Sequence, residues 1–226
     1  MVNVLLNDLL LNKKNSLKKF LVAYFYGISF LSLSQPLKIK NNESGILSLG
    51  VRTTVSLFND SETGNFGTGA GGQFRIQLAE RVNTDWFFDY LTADVKEIAN
   101  RTDYHIGWSV LFYPYLKEKQ LFKPYILAGH CFDYTHIVEN SNRTNFAERW
   151  SSAVQMGIGT HINLTQRLDF TVMGQYMIHL GNEIHPEVVN NQLVYTNNHN
   201  HGASLEGHLL INLGIHYKII DLWGGK

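Results

Sequence analysis

The 226-residue chain carries 19 basic and 19 acidic residues, a balance that leaves no electrostatic footprint for nucleic acid. Its single cysteine, Cys131, excludes an internal disulfide and a thiolate metal motif. No apolar run in the body of the chain approaches ~18 residues, so no membrane-spanning helix is expected there.

The amino terminus is expected to be a secretory signal peptide, residues 1–34. Lys13 to Lys19 form a basic segment, Phe20 to Leu33 an apolar one, and Ser32 and Ser34 stand at −3 and −1 of a cut before Gln35. The preceding stretch MVNVLLNDLLLN is odd for such a segment, and a start codon called too early would explain it. No cysteine follows the cut, which speaks against a lipid anchor. Residues 35–226 then form a single domain.

That domain reads as eight strands of period-two alternation. Strand one, Ile46–Phe58, sets Leu47, Leu49, Val51, Val55 and Leu57 against Ser48, Gly50, Arg52, Thr54 and Ser56. After a polar loop, Asn59–Ala70, strand two (Gly71–Ala79) sets Phe74, Ile76 and Leu78 against Gln73, Arg75 and Gln77. Strand three (Thr84–Thr92) opposes Trp86, Phe88 and Tyr90 to Asp85 and Asp89. A polar loop, Ala93–Thr102, leads to strand four (Asp103–Tyr113), with Tyr104 to Phe112 on one face and His105, Gly107 and Ser109 on the other.

Strand five (Lys123–Ile137) has the least clear parity; Ile126, Ala128, Phe132 and Tyr134 are taken as its outer face, which leaves His130 awkward. Loop Val138–Arg149 is polar. Strand six (Trp150–Ile162) sets Val154, Met156 and Ile158 against Gln155, Gly157, Gly159 and His161. Strand seven (Arg167–Leu180) sets Leu168, Phe170, Val172, Tyr176, Ile178 and Leu180 against Asp169, Thr171, Gln175 and His179. The longest loop, Gly181–Ser204, precedes strand eight, Leu205–Ile219, whose apolar parity is broken only by Gly207 and whose polar parity is broken by Leu210.

Strands this long suit a tilted bilayer crossing better than a soluble sheet. Connections alternate long and short, and an even count returns both ends to one side. Closure leaves no unpaired edge, which hydrocarbon would penalise. Aromatic residues gather at strand ends: Tyr104, Phe112, Trp150, Tyr176 and Tyr217. The expected fold is therefore all-β, an eight-stranded antiparallel up-and-down transmembrane β-barrel in outer-membrane lipid.

Over about Gly45–Ile219 the chain resembles the small eight-stranded outer-membrane barrels, the group of outer-membrane protein A-like barrels. Lys123-Pro-Tyr-Ile-Leu-Ala-Gly129 looks like a strand opening of that group, and the cut before Gln35 looks like Bacteroidota exports. The pattern Asn212-x-Gly214-x-x-Tyr217-x-Ile219 resembles the terminal signal read by the barrel-assembly machinery, although the tail Ile220–Lys226 extends past the usual end. The resemblance implies a fold more than an activity.

The inward parity supplies the candidate site: Arg52, Arg75, Asp89, Asp169, Gln175, His179, Glu206 and His208. Buried charges must pair. The expectation is a polar plug in which Asp89 and Glu206 neutralise Arg52 and Arg75; the alternative is an ion gate. An open diffusion pore is not expected at this strand number. Late histidines His185, His199 and His201 are candidate metal ligands, with Glu183, although no HExxH or cysteine motif supports a defined site.

Some small outer-membrane barrels deacylate lipid A through a His-x-Ser-Asn arrangement. Here His179-Leu-Gly-Asn182 has glycine in place of the nucleophile, so no catalytic residue and no cofactor is assigned. The reading is a structural, adhesive or accessory envelope barrel, with room for an envelope-complex partner. Its alternatives are a lipid-A-modifying enzyme of the same architecture and a secreted soluble barrel holding an apolar ligand. The face that points outward separates the last of these from the rest.

Overall fold

The computed structural model describes residues 44–58, 66–115, 120–181, 184–189, 192–197 and 207–223. The segment read as a signal peptide, residues 1–34, lies outside them.

The strands are β1 (Ile46–Phe58), β2 (Gly67–Ala79), β3 (Val82–Val95), β4 (Ala99–Phe112), β5 (Phe122–Glu139), β6 (Phe146–Asn163), β7 (Leu168–Leu180), β8 (Ile184–Val189), β9 (Gln192–Asn197) and β10 (Gly207–Asp221). Eight of them close into a barrel in the order β1-β10-β7-β6-β5-β4-β3-β2, every pairing antiparallel. The remaining two, β8 and β9, pair as a separate hairpin inserted between β7 and β10. The fold is thus the expected eight-stranded up-and-down barrel, with that hairpin added.

Alternation dictates which residues face where. Ile158 is 69% exposed and Trp150 74%, while Arg52 is 2% exposed and Asp89 0%. Apolar side chains coat the outside and charged ones fill the inside. This is the reverse of what the soluble alternative requires, and it is the distribution that hydrocarbon demands of a spanning barrel. On β5 the outward face carries Ile126, Ala128, Phe132 and Tyr134, and His130 shares it, its ring 4.8 Å from that of Phe132. Tyr90, Tyr104, Tyr134 and Trp150 pair across β3 to β6, with ring centroids 5.2, 6.0 and 4.8 Å apart. They form one aromatic arc at the level where interface girdles sit.

The strands run further than alternation alone indicates. The polar stretches Ala93–Thr102 and Val138–Arg149 are mostly ladder, reduced to turns at 96–98 and 140–145. Beyond the aromatic arc the outward residues Thr92, Asp94, Thr102, His136 and Glu148 meet water, so the apolar signal fades while the backbone pairing continues. Within Gly181–Ser204 the hairpin β8–β9 replaces an irregular loop. Tyr195 fastens it: its hydroxyl lies 3.3 Å from the Ile137 carbonyl and 3.2 Å from that of Asn145. Tyr195 also packs with Ile98 and Ala147 on Val95, Ala99 and Ile137, a small apolar core at the rim.

The β3–β4 turn is strained. Lys96 and Glu97 have φ of 53° and 61°, a left-handed pair of the kind that glycine or asparagine normally supplies in a tight turn. Neighbouring groups hold it. Ile98 N donates to Val95 O at 3.0 Å, Glu97 N donates to Asp94 Oδ1 at 2.7 Å, and Asn140 Nδ2 donates to Glu97 O at 3.0 Å. Left-handed backbone costs a non-glycine residue about 1–2 kcal/mol, and glycine's extra unfolded-state entropy returns roughly half of that. Glu97→Gly is expected to stabilise the folded barrel by roughly 0.5–1 kcal/mol in urea unfolding from detergent micelles; an unchanged or lower midpoint would show that the turn carries no such strain.

Candidate functional site: the charged lumen

The inward side chains form two charged groups. At the loop end, Arg52 Nε donates to Asp89 Oδ1 at 2.7 Å, with a second contact from Nη2 to Oδ2. Arg101 Nε is 2.9 Å from Asp103 Oδ2, and Thr135 Oγ1 donates to Asp103 Oδ1 at 2.7 Å. Asp133, fully buried, accepts from Arg149 Nη2 at 3.2 Å, and His105 Nε2 and His179 Nδ1 each stand 3.3 Å from its carboxylate. The ring of His208 lies 4.6 Å from that of His179.

At the opposite end Arg75 Nη2 donates to Asp169 Oδ2 at 2.5 Å, and Arg75 Nη1 is 3.0 Å from His161 Nδ1. His216 Nδ1 is 3.3 Å from Asp169 Oδ1, and Tyr113 Oη is 2.9 Å from His161 Nε2. Gln73 contacts His216, and Lys123 Nζ stands 4.4 Å from the centre of the Tyr113 ring. Gln175 donates to Gln155 Oε1 at 3.2 Å, and Gln155 to Ser109 Oγ at 2.8 Å.

The structure therefore brings Arg52 to Asp89, His179 to His208, and Arg75 to Asp169. The pairing proposed from sequence is corrected here: the carboxylate that neutralises Arg75 is Asp169, reaching across from β7. Glu206 lies outside the described residues, as do His199, His201 and Glu183, and the side chain of His185. Among the described residues no three His, Cys, Asp or Glu side chains converge in a way that could hold a metal ion.

Parity reasoning places His105 and His161 inward without assigning them a role; the structure makes them members of the two groups. Arg101 and Arg149 escape that reasoning because they sit where the strands outrun the apolar belt. Of the residues read as a terminal signal, Asn212 and Gly214 face inward, Asn212 accepting from Thr54 Oγ1 at 2.6 Å. Ile219 faces out, and Tyr217 receives Arg167 Nη1 on its hydroxyl at 3.2 Å.

One arrangement bears on hydrolysis. Ser151 Oγ is 3.4 Å from His179 Nδ1, and Asp133 Oδ2 is 3.3 Å from that same nitrogen. A nucleophile–base–carboxylate relay needs the serine on one ring nitrogen and the carboxylate on the other. Both groups compete here for Nδ1, and His179 is fully buried.

No protein-family model matches the chain, and no curated protein matches it in sequence. In fold it is similar to the crystal structure of Neisserial surface protein A, at a TM-score of 0.52 and 11% identity, covering 79% of this chain and 99% of that one. It is likewise similar to a major outer membrane protein from Thermus thermophilus, at 0.51 and 11%, covering 76% of this chain and 98% of that one. At these identities the likeness is one of fold.

The Arg75–Asp169 assignment has a measurable consequence. Removing one partner of a buried pair costs about 3–5 kcal/mol, whereas an apolar replacement of both is close to neutral. Asp169→Ala is expected to lower unfolding stability in detergent by about that amount, and Arg75→Met with Asp169→Leu to recover most of it. Equal loss in single and double variants would show that the pair is not what Asp169 contributes.

Proposed function

We propose that the chain is an outer-membrane barrel with a structural, adhesive or partner-docking role exercised at its loop face, and that its lumen is closed under neutral conditions. The observation that carries the membrane reading is the inverted distribution of Ile158, Trp150 and Leu213 outside against Arg52, Asp89 and Asp169 inside. A face so apolar is stable only against hydrocarbon or another apolar surface, and it runs around the whole ring. The fold shared with two solved membrane barrels supports the same reading.

The loop face is favoured because it is built rather than slack. Val95, Ala99 and Ile137 form a core there, and Tyr195 ties the hairpin β8–β9 to it. Export through a signal of Bacteroidota type, cut before Gln35, belongs to this proposal, as does insertion guided by Asn212, Gly214, Tyr217 and Ile219. A non-catalytic role accords with the single nitrogen that Ser151 and Asp133 share on His179.

The test is depth-dependent. Leu213 lies mid-strand on the outward face of β10, with Tyr217 nearer its end. An arginine at the bilayer midplane costs about 2–4 kcal/mol and far less at the interface. Leu213→Arg is expected to reduce folded barrel sharply, Tyr217→Arg less, and Asn212→Gln little, as read by heat-modifiable migration of membrane extracts. Wild-type barrel yield from Leu213→Arg would remove the membrane reading. Mass spectrometry of the mature envelope protein is expected to find Gln35 at its amino terminus; an intact Met1 would refute the cut.

A further inference from the structure

We propose that the lumen is an acid-opened path for small anions, shut at neutral pH by a layer of apolar side chains. The proposal goes beyond the loop-face role and rests only on its premise that the barrel sits in a membrane.

The layer consists of Phe87, Cys131, Ala153, Met177 and Leu210, a buried cluster contributed by β3, β5, β6, β7 and β10. Each of these residues has a polar inward neighbour two residues away on the loop side: Asp89, Asp133, Ser151, His179 and His208 respectively. Two residues the other way stand Asp85, Gln155, Gln175 and Asn212, with Gly129 on β5. On these five strands the apolar layer therefore stands between the two charged groups. Its packing is close: a Cβ on Gly107 of β4 would lie 2.5 Å from Phe87 Cζ, so the ring occupies the space that glycine leaves. The Arg52 guanidinium lies 4.0 Å from the centre of that ring. A dry constriction of this kind stops ions without any covalent plug, and it conducts when it wets.

Charge decides when it wets. Among the described residues the cations inside are Arg52, Arg75, Arg101 and Lys123, buried, with Arg149 half-buried. The buried anions among them are Asp85, Asp89, Asp103, Asp133 and Asp169. Five described cations meet five described anions, and that balance holds only while the buried histidines His105, His161, His179, His208 and His216 are neutral. Moreover, the carboxylates these rings approach already have an arginine. Asp133 holds Arg149 beside His105 and His179, and Asp169 holds Arg75 beside His161 and His216.

Each proton these imidazoles take up thus adds positive charge beyond what the described carboxylates neutralise. Buried excess charge draws water. The histidines stand on both sides of the apolar layer, so that water reaches it from both faces. The wetted lumen carries excess positive charge, which admits anions and repels cations.

The experiment uses the purified full chain in planar bilayers with a potassium chloride gradient, at about pH 7.5 and about pH 4.5. Heat-modifiable migration follows the folded barrel at both values. Conductance is expected to rise at least about tenfold in acid, with the reversal potential moving toward the chloride equilibrium. Leu210→Ser with Met177→Ser is expected to conduct already at the higher pH, because the layer is then polar. His179→Gln with His208→Gln is expected to shift opening to lower pH.

A folded barrel that stays silent in acid would overturn the proposal. So would potassium selectivity, equal conductance at both pH values, or loss of the folded form at the lower one. If no folded barrel forms in the membrane at either pH, the membrane reading itself fails and takes this proposal with it.

Discussion

The pairing of β1 with β10 is the constraint from which the rest follows. It runs from Ile46↔Asp221 to Phe58↔His208 and joins the first barrel strand to the last. Without it two strands would face hydrocarbon with unpaired amides and carbonyls, each costing several kcal/mol. The seam is reinforced at its end: Gly45 N donates to Gln77 O at 2.7 Å, and Leu222 N donates to Gly45 O at 2.8 Å. Gly45 has φ of 92° and sits against Asp221 and Trp223, a place that only glycine fills without strain.

Closure at eight strands then fixes the nature of the interior. The ring is narrow enough for side chains to fill it. Half of every strand points inward, and that half carries the chain's polar parity because the other half forms the apolar outside. Charges confined in so small a space must find partners, and two of the pairs join strands that are not neighbours in the ring. Arg52 reaches from β1 to β3, and Arg75 from β2 to β7. The apolar layer between the two charged groups is one of three clusters that inward apolar residues form among the described residues.

Much of this was legible in the sequence because one physical signal, alternation, reports directly which face is apolar and which is polar. The outward sets on all eight barrel strands follow from it, His130 on β5 included. Three things were not legible. Strand ends were drawn short wherever the outward residues turn polar, as at Thr102 and Glu148, because alternation vanishes in water while hydrogen bonding does not. The hairpin β8–β9 escaped because it is short and includes Pro186. The partner of Arg75 escaped because parity tells which residues face in, but not which meet across a ring. Inward apolar residues such as Leu210 looked like exceptions to a pattern, and only their convergence makes them a layer.

The cross-lumen pairs also bear on how the barrel is put together. Arg75 and Asp169 are 94 residues apart and lie on strands that are not neighbours in the ring. Their bond cannot exist in an open sheet, and a slip of one residue in β2 would turn Arg75 out toward lipid. An incompletely closed or misregistered ring therefore carries unpaired charge at hydrocarbon depth, a far larger penalty than a few missing backbone bonds. The ion pairs thereby favour one register: the one in which Arg52, Arg75 and Arg101 each face a carboxylate.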